Sequence, residues 1–250
     1  MRDLDFFIPS EGSSARFQTT HWSVVLEAGK SVSPQSSEAL EKLCQTYWQP
    51  LYVFIRRKGY PEEDAQDLTQ EFFARLLERR DFETVHPYKG KFRTFLLAAM
   101  THFLANERDR ARAVKRGAGQ KLISLSEIKP EQFRALEPVS DVSPDKLFDL
   151  RWAMTVLERA LARLRIDSTE QGKSSEFDQL KKFLSEEPGE GEYSAVAQRL
   201  GMPSSSVAVA VYRLRARYRE LVRSEVAQTL SNPLELEEEM RHLYAVLNAA

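Results

Sequence analysis

The sequence is poor in cysteine and histidine, which many small folds and metal sites require. Its 250 residues include one cysteine, Cys44, and four histidines. A lone cysteine cannot form a disulfide within the chain, which excludes a disulfide-stabilised secreted scaffold and favours a reducing compartment. The histidines are scattered, and the sequence has no HExxH pattern, EF-hand loop or glycine-rich phosphate loop. We therefore expect no enzyme, no metal and no cofactor, with Cys44 buried rather than nucleophilic.

Long hydrophobic runs are also absent. The longest, such as residues 95–100, are far shorter than the roughly 20 residues that a membrane-spanning helix requires. Charges interrupt the short apolar patch near the start of the chain, which is unlike a secretory signal. We therefore expect a cytoplasmic protein.

The charge is balanced overall but segregated along the chain. The formal net charge is -1, from 36 Lys+Arg and 37 Asp+Glu. Residues 88–121 contain nine basic and two acidic residues, and residues 199–223 contain six basic and one acidic residue. Between them, residues 125–150 contain three basic and six acidic residues, together with three prolines that disfavour a helix. This order predicts two basic modules joined by an acidic linker, although each charged run could be only a solvated face.

Hydrophobic periodicity indicates helices along most of the chain. Apolar residues recur three or four positions apart, and no alternating strand pattern bounded by turns is present. The strongest pattern has Leu43, Tyr47, Leu51 and Phe54 on one face and ends at Gly59. Another helix is expected after Pro61, because the acidic residues that follow suit a helix N-terminus. The fold class predicted is all-α, with two helical domains.

The boundaries follow from the changes in composition. We assign residues 1–37 to an N-terminal extension with a short helix and residues 38–120 to a first helical domain. The acidic linker covers 121–146, a second helical domain 147–231, and an acidic C-terminal tail 232–250.

The second domain contains a helix-turn-helix pattern. Ala197 permits close helix packing, Gly201 suits the turn, and Val207 and Val211 face inward on the second helix. In such units the N-terminal residues of the second helix approach base edges, and basic residues beyond them meet phosphates. This pattern predicts DNA contacts by Ser204, Ser205, Ser206, Arg213, Arg215 and Arg217. The alternative is an amphipathic helix whose arginines are merely solvated.

The helix that begins at Phe92 has an apolar first half and a charged second half. Its aromatic residues alternate with cations, a mixture that can hold a phosphate backbone and stack on bases of an opened strand. The alternative is that Phe92, Phe95 and Phe103 are core residues. The preceding helix carries a run of carboxylates, which we interpret as a surface facing a protein partner.

Three segments, in order, resemble extracytoplasmic-function (ECF) sigma factors of the sigma-70 family. DAQDLTQEFFARLL at 64–77 is similar to region 2.2, which docks on core RNA polymerase. FRTFLLAAMTHFLANERDRARAVKRG at 92–117 is similar to regions 2.3 and 2.4, which melt and read the minus-10 element. YSAVAQRLGMPSSSVAVAVYRLRARYREL at 193–221 is similar to region 4.2, which reads the minus-35 element. The first domain would thus be region 2-like and the second region 4-like.

The resemblance implies partners and contact residues. The partners would be core RNA polymerase, through the clamp coiled coil of its largest subunit and the flap of the second, and promoter DNA, with an anti-sigma factor also possible. The implied polymerase contacts are Asp64, Asp67, Gln70, Glu71 and Arg75. The implied minus-10 contacts are Phe92, Arg93, Phe95, Arg108 and Arg110, and we add the neighbouring cations Arg112, Lys115 and Arg116 as DNA contacts.

The sequence also departs from the family at positions that matter for promoter choice. The recognition helix has Val207, Ala208 and Val209 where a lysine is common, so the promoter sequence does not transfer. Two other functions remain open. A helix-turn-helix regulator independent of polymerase would need only the second domain, and an interaction adaptor with a sigma fold would not read promoters.

Overall fold

The computed structural model describes residues 34–79, 91–114 and 143–249, and the regular structure within these ranges is helical. This confirms the all-α prediction. No described helix is long and apolar enough to cross a membrane. The expected short N-terminal helix, most of the acidic linker, and Lys115 and Arg116 lie outside the described residues. The eight described α-helices are α1 Pro34–Arg57, α2 Glu62–Arg79, α3 Phe92–Val114, α4 Pro144–Glu170, α5 Ser174–Leu180, α6 Glu192–Leu200, α7 Ser204–Ala227 and α8 Leu236–Asn248.

The turn between α1 and α2 forms where the sequence predicts it. Arg56 and Arg57 lie in the last turn of α1, where cations stabilise the negative end of the helix dipole. Gly59 has φ of 93°, a left-handed conformation that side chains with a Cβ disfavour. Pro61 precedes α2, whose first turn is acidic. These residues therefore end α1 and start α2 across a short turn.

Helix α4 begins three residues before the predicted boundary at 147. The hydroxyl of Ser143 accepts a hydrogen bond from the backbone N–H of Lys146 at 3.3 Å and caps the helix. Pro144 occupies the first turn, where the missing N–H removes no helical hydrogen bond. The proline that indicates a linker in the sequence therefore starts the helix.

The main core forms where α1 packs along α4. Tyr47 and Phe54 of α1 and Phe148 and Trp152 of α4 are buried. The ring of Phe148 lies 6.3 Å from that of Tyr47 and 6.4 Å from that of Phe54, centroid to centroid. Phe92 of α3 meets Tyr47 edge-on at 5.1 Å. Helices from both predicted domains thus share one aromatic core.

The C-terminal segment joins the same core. Met240 and Leu243 of α8 are buried in it. The backbone N–H of Phe92 donates to the carbonyl of Thr229 at 3.1 Å, and Lys91 forms an isolated antiparallel bridge with Leu230. The segment assigned to an acidic tail therefore contains a packed helix.

The helix-turn-helix has a smaller core of its own. It consists of Leu180, Phe183, Val196, Ala197, Val207 and Val211. Gly201 makes the turn between α6 and α7 with φ of 64°. The predicted inward positions of Val207 and Val211 are confirmed. Because α7 continues beyond this unit into the main core, the position of the recognition helix depends on α4 and α8.

We expect Leu243→Ala to lower the free energy of unfolding by about 2–5 kcal/mol, because it leaves a cavity in the main core. Leu234→Ala is the matched control, since that side chain is 88% exposed, and its effect should stay within about 0.5 kcal/mol. Urea unfolding of both variants measures the difference. Equal stability of the two variants would show that α8 is not part of the folded core.

Candidate nucleic-acid interface

Helix α2 presents an acidic surface. Asp64 and Asp67 are exposed, and Gln70 and Glu71 are partly buried further along the same helix. Burial of Ala65, Phe72 and Leu76 on the opposite face orients these polar residues outward. The predicted polymerase contacts thus form one accessible strip.

Arg75 differs from the other residues of that strip because it is held by α3. It pairs with Glu71 on its own helix, and its guanidinium lies 2.8 Å from a carboxylate oxygen of Glu107. The same guanidinium lies over the ring of Phe103, 5.0 Å from the centroid. Arg75 therefore connects the acidic helix to α3.

The first turn of α3 contains core residues, as the alternative interpretation of its aromatic residues proposes. Phe92 is completely buried, and Phe95 packs partly buried beside it with 6.1 Å between the ring centroids. Phe103 is also buried. The aromatic rings predicted to meet DNA thus pack inside the protein in this conformation.

Arg93 lies in an ion-pair network. Its guanidinium contacts Asp149 at 2.7 Å and Glu239 at 3.0 Å, and lies 5.1 Å above the ring of Trp152. Only 13% of the side chain is exposed. Lys91 adds contacts to Glu238 at 2.7 Å and to Glu239 at 3.1 Å. Arg93, which is predicted to contact DNA, and its neighbour Lys91 are therefore both occupied by the protein's own carboxylates.

The carboxylate of Glu239 is the centre of this network and is 1% exposed. Burial disfavours its charged form, but the hydrogen bonds and charges of Arg93 and Lys91 outweigh burial and hold the pKa of Glu239 below its usual range. The carboxylate thus stays ionised at neutral pH and binds both cations.

The second half of α3 is exposed. Arg108 donates to the hydroxyl of Tyr60 at 2.9 Å, and Arg110 pairs with Glu107 at 2.7 Å. His102 and Asn106 lie one helical turn apart on the solvent-facing side. The side chain of Arg112 lies outside the described residues. This part of α3 presents hydrogen-bonding groups and charge to solvent.

Helix α7, the second helix of the helix-turn-helix, exposes its N-terminal serines. Ser204, Ser205 and Ser206 are all accessible. Val209 is 48% exposed and Tyr212 is 69% exposed, and both lie on the outer side of the helix because Val207 and Val211 face inward. Tyr212 is not among the predicted DNA contacts, although its position one residue after the inward Val211 indicates that it points outward.

The three arginines of α7 have different environments. Arg213 is exposed and lines a groove of about 660 Å³ between α7 and the end of α4, together with Ser205 and Ser206. Arg217 lines the same groove and contacts Asp167 at 2.7 Å. The hydrogen bond from Arg217 holds the pKa of Asp167 below its usual range.

Arg215 points back into the domain. It donates to the backbone carbonyls of Phe183 at 2.7 Å and Glu186 at 3.1 Å. These bonds tie α7 to the segment before α6. The side of α7 that lines the groove carries the other groups, which are the hydroxyls of Ser205 and Ser206, the apolar Val209, and the cations Arg213 and Arg217. This combination suits contact with base edges and phosphates.

A metal site or a nucleophilic cysteine has little support in the described residues. They contain no group of three or more histidine, cysteine or acidic side chains placed to hold a metal ion. Cys44 is buried as predicted, and burial raises the pKa of its thiol to about 12, so it stays protonated at neutral pH.

A family model described as ECF sigma factor matches residues 28–224, which is most of the chain. No curated protein and no solved structure matches the chain. The family match includes the acidic helix α2, the helix α3 and the helix-turn-helix, in the order that the sequence predicts. It supports core RNA polymerase and promoter DNA as partners. The chain belongs to the ECF sigma factor family and is a non-enzymatic factor of transcription initiation.

Proposed function

We propose that this protein binds core RNA polymerase through α2 and directs it to promoters through α3 and α7, in the cytoplasm. The observation that carries the proposal is the separation of two exposed surfaces, an acidic strip on α2 and a hydroxyl- and arginine-rich surface on α7. In a protein that only bound DNA, the first would be an ordinary solvated surface, and reversing its charges would have no effect on function.

The acidic strip supports binding to a basic surface of the polymerase. Asp64 and Asp67 are exposed, and the contacts of Arg75 with Glu107 and Phe103 keep α2 in place against α3. Charges at the edge of an interface guide association and exclude wrong partners. The clamp coiled coil of the largest subunit is the proposed site, and the flap of the second subunit is the proposed site for the region 4-like unit.

The outer side of α7 supports recognition of the minus-35 element. Ser205, Val209 and Tyr212 lie towards base edges when this helix enters the major groove, and Arg213 and Arg217 lie towards phosphates. A valine can contact the methyl group of thymine, which distinguishes it from cytosine. The absence of a lysine at 207–209 therefore favours apolar over charged base contacts.

The exposed half of α3 supports recognition of the minus-10 element. His102, Asn106, Arg108 and Arg110 are accessible there. Phe92, Phe95 and Arg93 contribute only if the start of α3 becomes accessible, because they now pack in the core or pair with carboxylates. An anti-sigma factor would be a further partner, and it stays a prediction.

The proposal is tested by a pull-down with bacterial core RNA polymerase, followed by transcription from a library of random promoter fragments. We expect the protein to bind core and to enrich a pair of upstream motifs. Failure to bind core would overturn the proposal and leave a helix-turn-helix regulator as the better account. Binding without promoter enrichment would instead favour the interaction adaptor.

Reversing both exposed charges, with Asp64→Lys and Asp67→Lys, should weaken binding to core by about tenfold or more, because like charges would then face each other. The matched control is Glu170→Lys with Glu190→Lys, which makes the same change in net charge at exposed positions away from α2. Fluorescence anisotropy with labelled protein and core measures both affinities. Equal losses in both double variants would indicate a general charge effect and would contradict the assignment of α2.

Arg213→Gln should remove one phosphate contact from promoter binding. A plot of the logarithm of the binding constant against the logarithm of the salt concentration should then be shallower by about 0.9. The holoenzyme and a promoter selected from the library are used. Arg215→Gln is the comparison, and it should lower the thermal stability of the protein while leaving the slope unchanged, because Arg215 bonds to backbone carbonyls of its own domain. The opposite pattern would place Arg215 rather than Arg213 at the DNA.

A further inference from the structure

The C-terminal segment covers the start of α3. The family match ends at residue 224, and the described chain continues to 249. Within this continuation Thr229 accepts a hydrogen bond from the backbone of Phe92, and α8 brings Glu238 and Glu239 to Lys91 and Arg93. A part of the chain beyond the family match thus covers cations within it.

The contact has the features of a specific site rather than of a chance surface pair. The side chain of Glu239 is 1% exposed. It accepts hydrogen bonds from Nε and a terminal nitrogen of Arg93, at 3.0 and 3.4 Å, and forms an ion pair with Lys91. Asp149 binds the other side of the same guanidinium and lies 3.3 Å from Nε2 of His242. Met240 and Leu243 anchor α8 in the core beside it.

The carboxylates occupy the cations in the way that a nucleic-acid phosphate would. Arginine binds carboxylate and phosphate oxygens with the same planar group of donors, so one occupant excludes the other at Arg93. In the acidic first turn of α8, Glu238 adds a second carboxylate beside Lys91. A negatively charged helix therefore lies where the proposed function needs a negatively charged DNA strand.

We propose that α8 is an intramolecular competitor of DNA, which closes the start of α3 until an opened promoter strand displaces Glu238 and Glu239 from Lys91 and Arg93. This inference rests on the proposed function, since it assigns α3 to DNA. In the closed form α8 covers the start of α3, and in the open form it does not. A ligand that binds the open form better shifts the population towards it.

Glu239→Gln tests the competition, because it keeps the shape of the side chain and removes the charge. Full-length protein is titrated with fluorescent oligo(dT) at several salt concentrations. We expect tighter binding, by about tenfold, because the open form is then more populated. We also expect the logarithm of the binding constant to fall more steeply with the logarithm of the salt concentration, by about 1.4 in slope, because Lys91 and Arg93 both then meet phosphates.

Glu237→Gln is the matched control, because it removes the same charge from the same helix but faces Arg223 rather than α3. It should leave the affinity and the slope close to those of the unchanged protein. Equal DNA binding by the two variants would overturn the inference.

Hydrogen exchange of the unchanged protein provides a second measurement if Glu239→Gln does not fold. Adding oligo(dT) should speed amide exchange in 236–248, while 192–200 and the inner residues of α1 stay protected. Bound DNA with unchanged exchange in α8 would overturn the inference. If oligo(dT) opens α8 but the protein fails to bind core polymerase, the proposed function is contradicted. The inference that α8 closes the start of α3 would still stand.

Discussion

The packing of α1 against α4 is the constraint on which the rest of the structure depends. Phe148 inserts between Tyr47 and Phe54, and Trp152 continues the same buried face. Burying aromatic side chains of this size is the largest stabilising contribution available to an all-helical protein without disulfides. Because α3, α7 and α8 all pack on this pair, the accessible surface of each follows from it.

The ion-pair network above Trp152 depends on that core. A buried carboxylate is costly to desolvate, and a pair is stable there only when several partners satisfy it. Glu239 has two cationic partners, and Arg93 has two carboxylates and an aromatic face. Such a site adds little to stability compared with a well-packed apolar core of the same volume, although removing one partner would leave a buried charge unpaired.

Local patterns were enough to predict much of the fold, and contacts between distant residues account for what they missed. The four-residue repeats of α1 and α2, and the Ala197 and Gly201 spacing, specified helices and a turn within a few residues. Arg93 and Glu239 are 146 positions apart, and no periodicity relates them. The interpretation of Arg93 as a DNA contact used its charge and its neighbours, but its exposure depends on a helix that the sequence marks only as acidic.

On the proposed competition between α8 and DNA, the same network would keep a basic helix from binding nucleic acid indiscriminately. Shifting a two-state equilibrium from 1:99 to 99:1 requires about 5.5 kcal/mol of differential binding. Stray DNA offers only phosphates, which must compete with carboxylates already in place at Lys91 and Arg93. On the proposed function, a promoter bound together with polymerase adds contacts at α2 and α7, both of which have exposed residues when α8 covers α3. Contacts at those two surfaces therefore add binding energy that favours opening of α3, so closure by α8 makes a promoter bound with polymerase a stronger competitor than DNA alone.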